Sequence, residues 1–214
     1  GTQFFWPFEA RITFNSVFVI DPIYTIPFMI LLIWAMRLDK ESAKRRKLNR
    51  IGLIYSTCYL LLGVLIKCYV WYDATKFFRD KKISVNRMMV TPMPFTSFYW
   101  YVLAENNNEY RVNYRSIFKS NLDTAVVIQR GRMRIRDLAW NGKNFSTELQ
   151  SVTNGYYYIE QHRDTIITYD LRFGILTKLT NGKSNLPIMG YQMEAKNHRI
   201  IKTIPLSPRK QLAK

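Results

Sequence analysis

Residues 51–72 form an apolar run of 22 residues whose single charge is at Lys67. A helix crosses the hydrocarbon core of a bilayer, about 30 Å thick, in about 20 residues. Tyr69, Trp71 and Tyr72 close the run, where the aromatic side chains of an interfacial belt are expected. The mean hydropathy of −0.17 conceals this concentration of apolar residues. The run therefore predicts a transmembrane helix over residues 51–72.

A second apolar run, residues 17–36, is interrupted by Asp21, Pro22 and Pro27. Pro22 is suited to the first turn of a helix, where its missing N–H does no harm, whereas Pro27 would kink the helix. The pattern predicts a second spanning helix over residues 22–36, entered from a re-entrant segment. A buried helix of a soluble protein is the alternative.

The segment between the two runs, residues 37–50, has seven basic and two acidic residues. Short loops rich in Lys and Arg stay on the cytoplasmic side of a membrane. Residues 1–20 and everything after Trp71 should then lie outside the cytoplasm. We expect this loop to attract anionic lipid headgroups, with a merely solvated helical linker as the alternative, and we expect no nucleic-acid partner.

Asp21 and Lys67 are ionisable residues inside the predicted spans. Such residues are costly in lipid and usually have a partner. Asp21 lies 15 positions before Met36 and Lys67 lies 16 positions after Ile51, so both should lie about 22–24 Å from the cytoplasmic face. We predict an intramembrane polar pair between them, with independent snorkelling of both side chains as the alternative.

The chain after the second run changes character. From Asp73 onward it has 23 basic and 11 acidic residues, a net charge of +12, and short segments rich in Tyr, Val, Ile and Thr. These segments predict antiparallel hairpins. The expected strands are 97–104 paired with 110–118, 156–161 paired with 165–171, and single strands at 125–129 and 187–194.

The predicted fold class is therefore mixed, with two transmembrane α-helices followed by a small antiparallel β-rich domain. The predicted domains are a membrane part over residues 1–74, an extracytoplasmic β-rich domain over 75–203 and a loose basic tail over 204–214.

Four arginines alternate along one stretch and would point to one face of a strand. Guanidinium groups match phosphate oxygens, so this row is a candidate anion site for lipid headgroups or acidic envelope polymers. A charged edge that discourages strand association is the alternative. The arginines are Arg130, Arg132, Arg134 and Arg136.

Residues that favour a metal or redox site are few. The two histidines, His162 and His198, are far apart and have no zinc-motif spacing. Cys58 and Cys68 are ten residues apart on one predicted helix, about 15 Å, which is too far for a disulfide. We therefore expect both cysteines to be apolar packing residues, and the residues alone indicate no metal ligand set.

The N-terminal region nevertheless resembles a family. The chain opens at Gly1 within an aromatic run, which suggests a piece of a longer protein. Its sequence resembles the bacterial membrane-bound metal-dependent hydrolases of the LexA-regulated inner-membrane type. The residues that carry the likeness are 1–8, Arg11, Phe14, Asn15, 19–27, 59–61, Lys67 and 170–174.

The resemblance implies a multi-pass protein of the bacterial inner membrane that hydrolyses a small-molecule or lipid substrate. It also implies that the reaction uses a divalent metal ion, with zinc as the expected metal. The metal ligands of the family would precede residue 1, so no catalytic residue is carried over. Asp21 is the candidate metal ligand or second-sphere carboxylate, with Tyr24 and Thr25 as hydrogen-bond donors nearby. The alternative function is a non-enzymatic, membrane-anchored module that binds anionic lipid or an envelope polymer.

Overall fold

The computed structural model describes residues 15–18, 20–107, 109–119, 123–129, 139–140, 143–162, 165–175, 187–196 and 199–206. The chain divides into two compact units. The first consists of Gly1–Glu105 and Val112–Ala125, and the second of Asn106–Arg111 and Val126–Lys214.

Two helices form an antiparallel hairpin in the first unit. Helix α1, Pro22–Met36, begins after the N-cap Asp21, with Pro22 in its first turn as the sequence predicts. Helix α2, Ala43–Asp80, begins after the N-cap Ser42, whose side chain accepts a hydrogen bond from the Lys44 N–H. Gly52 of α2 faces Leu31 and Phe28 of α1. The helix predicted over 22–36 is confirmed.

The loop between the helices is shorter than the charge pattern predicts. Residues 43–50 are the first two turns of α2 and only 37–42 connect the helices, since Ser42 supplies a cap and the basic residues that follow are good helix formers. At its other end α2 runs on to Asp80, so the predicted domain boundary at residue 74 falls inside a helix.

Among the residues that the structure describes, one of the two predicted spanning helices is long enough to cross a bilayer. Helix α2 is long and apolar enough to cross a membrane. Helix α1 is apolar but has 15 residues, about 22 Å, which is less than the hydrocarbon thickness of about 30 Å. The prediction of two complete spans is therefore not confirmed for α1.

A four-stranded sheet follows the hairpin, in the order β1-β2-β3-β4. The last turns of α2 pack on β1 and β2, and the shared core is Val70, Ala74, Phe78, Val90, Trp100, Val102 and Ala104. The predicted hairpin is confirmed as the neighbouring strands β2 and β3, and the strand predicted at 125–129 lies in β4. The bounds are β1 Arg87–Pro92, β2 Tyr99–Glu105, β3 Glu109–Ser116 and β4 Asp123–Gln129.

The second unit contains a six-stranded, mainly antiparallel sheet in the order β6-β5-β10-β9-β8-β7. The predicted pair 156–161 and 165–171 is confirmed as β7 and β8, and the strand predicted at 187–194 is β9. Residues 204–206, which the sequence assigns to the tail, belong to β10. The bounds are β5 Ala139–Trp140, β6 Lys143–Asn144, β7 Tyr157–His162, β8 Thr165–Ile175, β9 Pro187–Lys196 and β10 Arg199–Leu206.

Helix α3, Phe145–Thr153, packs on this sheet and was not predicted. Its N-cap Asn144 accepts a hydrogen bond from the Ser146 N–H, and Phe145, Leu149 and Thr153 repeat every fourth residue on the buried face. The helix ends at Asn154, whose φ of 52° is left-handed. The segment is rich in Ser and Thr and has few apolar residues, so its sequence pattern does not indicate a short amphipathic helix.

Candidate functional site

The hairpin exposes apolar side chains on its outer surface. Many large apolar residues of α1 and of α2 up to Tyr72 are exposed, including Leu65 at 67%, Leu61 at 59% and Trp34 at 58%. In α2, Gly52 and Gly63 are instead buried. A soluble protein would bury an apolar surface of this length, because large exposed apolar patches mark interfaces with other molecules or membranes.

Asp21 is the buried carboxylate of this hairpin, with no exposed surface. Its Oδ1 accepts a hydrogen bond from the Ile23 N–H at 3.0 Å, which caps α1. Its Oδ2 accepts from the Tyr59 hydroxyl at 2.8 Å and from the Ser97 hydroxyl at 2.5 Å. One carboxylate thus joins the start of α1, the middle of α2 and the turn between β1 and β2.

Further hydroxyl groups extend this polar cluster along the contact between the helices. The Tyr24 hydroxyl lies 2.9 Å from the Ser56 hydroxyl, and the Tyr55 hydroxyl donates to the carbonyl oxygen of Ile23. Hydrogen bonds between helices satisfy polar groups that lipid cannot solvate. We call Asp21, Tyr24, Ser56, Tyr59 and Ser97 the hydroxyl cluster.

The sequence predicts Lys67 as the partner of Asp21, whereas the Asp21 carboxylate accepts hydrogen bonds from Tyr59, Ser97 and Ile23. The depth estimate took Ile51 as the cytoplasmic end of the second helix, whereas α2 begins at Ala43. Sixteen residues after Ala43 is Tyr59. The eight residues between Ala43 and Ile51 correspond to about 12 Å along the helix, which is also the rise from Tyr59 to Lys67. The pairing of Asp21 with Lys67 stays a prediction.

A second buried charge, at Arg115 in β3, was not predicted. Its side chain is 1% exposed and its Nε lies 2.9 Å from Asp73 Oδ2, in ion-pair contact. Its Nη2 donates to the Tyr69 hydroxyl at 3.1 Å, and the guanidinium also lies over the Tyr69 ring. No local sequence pattern indicates that Asp73 and Tyr69 of α2 contact this side chain.

The zinc site implied by the family resemblance does not fit the residues described. No group of three His, Cys, Asp or Glu side chains within them is placed to hold a metal ion. The Asp21 carboxylate already accepts three hydrogen bonds, and its side-chain neighbours in these bonds are hydroxyls, which are not the usual zinc ligands. No reaction step through a metal is therefore derived.

The remaining candidate residues are the alternating arginines, the histidines and the cysteines. Arg130, Arg132, Arg134 and Arg136 lie outside the described residues, as does His198. Cys58 and Cys68 are free, and both are exposed on α2 rather than buried as expected.

The chain was compared with protein-family models, curated proteins and solved structures, and it matches none of them.

Proposed function

We propose that this chain is a membrane-anchored module whose basic part contacts anionic lipid headgroups. The observation that supports the proposal is the distribution of side chains on the hairpin. Large apolar side chains cover the outer surface, while Asp21, Tyr24, Ser56 and Tyr59 of the hydroxyl cluster contact one another between the helices. This inverted distribution suits hydrocarbon, because lipid solvates apolar groups and leaves polar groups to pair with one another.

In this proposal α2 crosses the bilayer and α1 lies beside it within the hydrocarbon. The loop at 37–42 and the basic first turns of α2 face the cytoplasm of a bacterial inner membrane, as the positive-inside rule requires. The first residues of α1 end below the opposite surface, since α1 is about 8 Å shorter than the hydrocarbon core. Ser97 and Tyr59 would then satisfy Asp21 where water cannot.

The charge of the region after α2 supports an anionic partner. Its net charge is +12 from Asp73 onward, and each Lys or Arg close to an anionic membrane surface contributes about 1 kcal/mol of attraction. Envelope polymers with acidic groups would be attracted by the same charge. Lipid headgroups are favoured because the membrane anchor holds the module beside them.

Arginine substitutions test the membrane proposal, because Leu61 and Val152 are equally exposed, at 59% and 58%. Leu61→Arg would place a charge in hydrocarbon at a cost of about 2.5–3.5 kcal/mol. Val152→Arg, on α3, should change stability by less than about 0.5 kcal/mol. We expect the unmodified chain and the Val152 variant to resist extraction by alkaline carbonate and the Leu61 variant to accumulate poorly in membranes. Equal behaviour of both variants, or release of the unmodified chain by carbonate, would contradict the proposal.

A second proposed function is the metal-dependent hydrolase that the sequence resembles. The specific observation in its favour is that Asp21, in the segment with the strongest resemblance, is a fully buried carboxylate in a polar cluster. Buried, hydrogen-bonded carboxylates inside a membrane are usual at functional sites. Metal analysis of the full-length protein, with an ester-hydrolysis assay before and after chelation, tests this. Activity that is unchanged by chelation would rule out the metal-dependent form.

A further inference from the structure

A cavity of about 430 Å³ lies between the last turns of α2 and the start of β1. Its wall combines aromatic groups, Trp71 and Phe78, with polar groups, Thr75, Asn86, Arg79 and Arg87. The volume is within the range of small-molecule sites, about 300–1,000 Å³. Mixed walls of this kind suit a ligand that is itself part apolar and part charged.

The cavity extends along α2 from the end of the apolar run towards the end of the helix. Trp71 closes the apolar run, and Thr75 and Arg79 follow at the fourth and eighth residues on the same side of the helix. Arg79 is therefore about 12 Å beyond Trp71 along the helix axis. The headgroup layer of a bilayer extends about 5–8 Å beyond each side of the hydrocarbon core. With Trp71 in the aromatic belt, the cavity extends through the headgroup layer.

The two arginines of the cavity wall, Arg79 and Arg87, differ in their ion-pair contacts. Arg87 donates to Glu105 Oε2 from Nε at 2.9 Å and from Nη2 at 2.6 Å, which fixes its guanidinium beside the cavity. Arg79 is exposed and makes no ion pair within the part of the chain that the structure describes. Its charge is thus the one available to compensate an anion in the cavity. Arginine is suited to this because its guanidinium matches the oxygens of a phosphate.

We propose that this cavity binds the glycerophosphate headgroup of an anionic phospholipid. Arg79 contacts the phosphate, Arg87 and Asn86 line the glycerol end, and Trp71 packs on the upper part of an acyl chain. The proposal rests on the membrane-anchored function above, since the cavity lies at headgroup level only if α2 crosses the bilayer. It adds a defined site and ligand to what would otherwise be diffuse attraction by charge.

The test uses the full chain purified in detergent and incubated with phosphatidylglycerol or phosphatidylcholine, with retained lipid counted by native mass spectrometry. Arg79→Gln should lower retention of phosphatidylglycerol about tenfold, since a hydrogen bond to a charged group is lost. Lys76→Gln removes the same charge one turn away without touching the cavity wall, and it should change retention less than about twofold. Thr75→Phe fills the cavity without changing charge and should also lower retention.

Each outcome decides the proposal. An equal loss in the Arg79 and Lys76 variants would show diffuse attraction and overturn the site, as would unchanged retention in both the Arg79 and Thr75 variants. Displacement of the lipid by an equal concentration of inorganic phosphate would show a phosphate site without lipid specificity and would overturn the proposal of a lipid site. Carbonate extraction of the unmodified chain is read separately, so a failure of membrane anchoring is distinguished from a failure of this site.

Discussion

Asp21 caps α1 and also accepts hydrogen bonds from hydroxyls on two other segments. Removing a buried acceptor leaves its donors unsatisfied, which costs more than the hydrogen bond itself contributes. The residue therefore links helix formation to the attachment of the β1–β2 turn. The partners of its side chain in these bonds are two hydroxyls and one backbone N–H.

A double-mutant cycle tests which residue is the partner of Asp21. Asp21→Ala should lower the free energy of unfolding by about 1–3 kcal/mol and Tyr59→Phe by about 1 kcal/mol. Together they should cost less than the sum, since the second substitution removes a donor whose acceptor is already gone. The losses of unfolding free energy caused by Asp21→Ala and by Lys67→Leu should add in the double variant. Thermal unfolding in detergent measures both cycles. Coupling of Asp21 to Lys67 instead of Tyr59 would support an ion pair between Asp21 and Lys67.

A pair of tyrosines on β7 and β8 predicts a pH dependence in the second unit. The rings of Tyr158 and Tyr169 stack at 6.0 Å. Burial, assisted by the Glu160 carboxylate, raises the pKa of Tyr169 to about 12. Its folded pKa therefore exceeds the unfolded value of about 10. A raised pKa contributes stability below pH 10 that is lost as the pH rises from 10 to about 12.

We expect Tyr169→Phe to reduce this alkaline loss of stability, because phenylalanine has no proton to lose. Chemical denaturation monitored at several pH values between 9 and 12 provides the measurement. Ile167→Val, in the same strand, should keep the loss. An unchanged pH profile in the Tyr169 variant would contradict the assignment.

Helix α2 has different surroundings along its length. Up to Tyr72 much of its surface is exposed and apolar, whereas Val70, Ala74 and Phe78 are buried against the sheet. Two buried glycines mark where other segments approach it. Gly52 faces α1 with room to spare, and Gly63 lies against the segment that precedes α1.

These glycines form a matched pair for substitution. A Cβ at Gly63 would lie 2.7 Å from Val17 Cγ2 and 2.9 Å from the backbone oxygen of Ser16. Gly63→Ala should therefore destabilise by about 1–3 kcal/mol, since backbone must move. A Cβ at Gly52 would meet its nearest atom at 3.9 Å, so Gly52→Ala should be neutral or gain up to about 1 kcal/mol of helix propensity. Thermal unfolding in detergent compares the two, and equal effects would mean that residues 16–17 do not pack on Gly63.

At the scale of the whole molecule, apolar surface and charge are separated along the chain. The exposed apolar residues concentrate in 20–36 and 51–72, whereas residues 37–50 and the chain from Asp73 onward are basic. Cys58 and Cys68 are exposed on α2 within the apolar stretch. In a membrane their thiols would face lipid.

Cysteine labelling tests this arrangement in intact cells. A membrane-impermeant maleimide should leave Cys58 and Cys68 unlabelled until detergent is added, because the reagent does not enter hydrocarbon. In a background without these cysteines, Ser84→Cys should be labelled from outside and Lys47→Cys only after permeabilisation. Labelling of Lys47→Cys in intact cells would reverse the orientation, and labelling of Cys58 in membranes would argue against a span.

The sequence by itself determined the elements that depend on local patterns. The apolar runs, Pro22 after Asp21 and the alternating Tyr-rich segments located both long helices and most of the longer strands, because a long apolar run or a period of two is carried by a single segment. The basic residues after Ser42 favoured a loop over residues 37–50, whereas in the structure α2 begins at Ala43. Tertiary structure alone decided which residues meet. The start of α2 at Ala43 set the stagger that brings Tyr59 to Asp21. Ser97 reaches Asp21 from the turn between β1 and β2, and Arg115 reaches Asp73 from β3. Such contacts depend on how elements pack against one another, which no local period encodes.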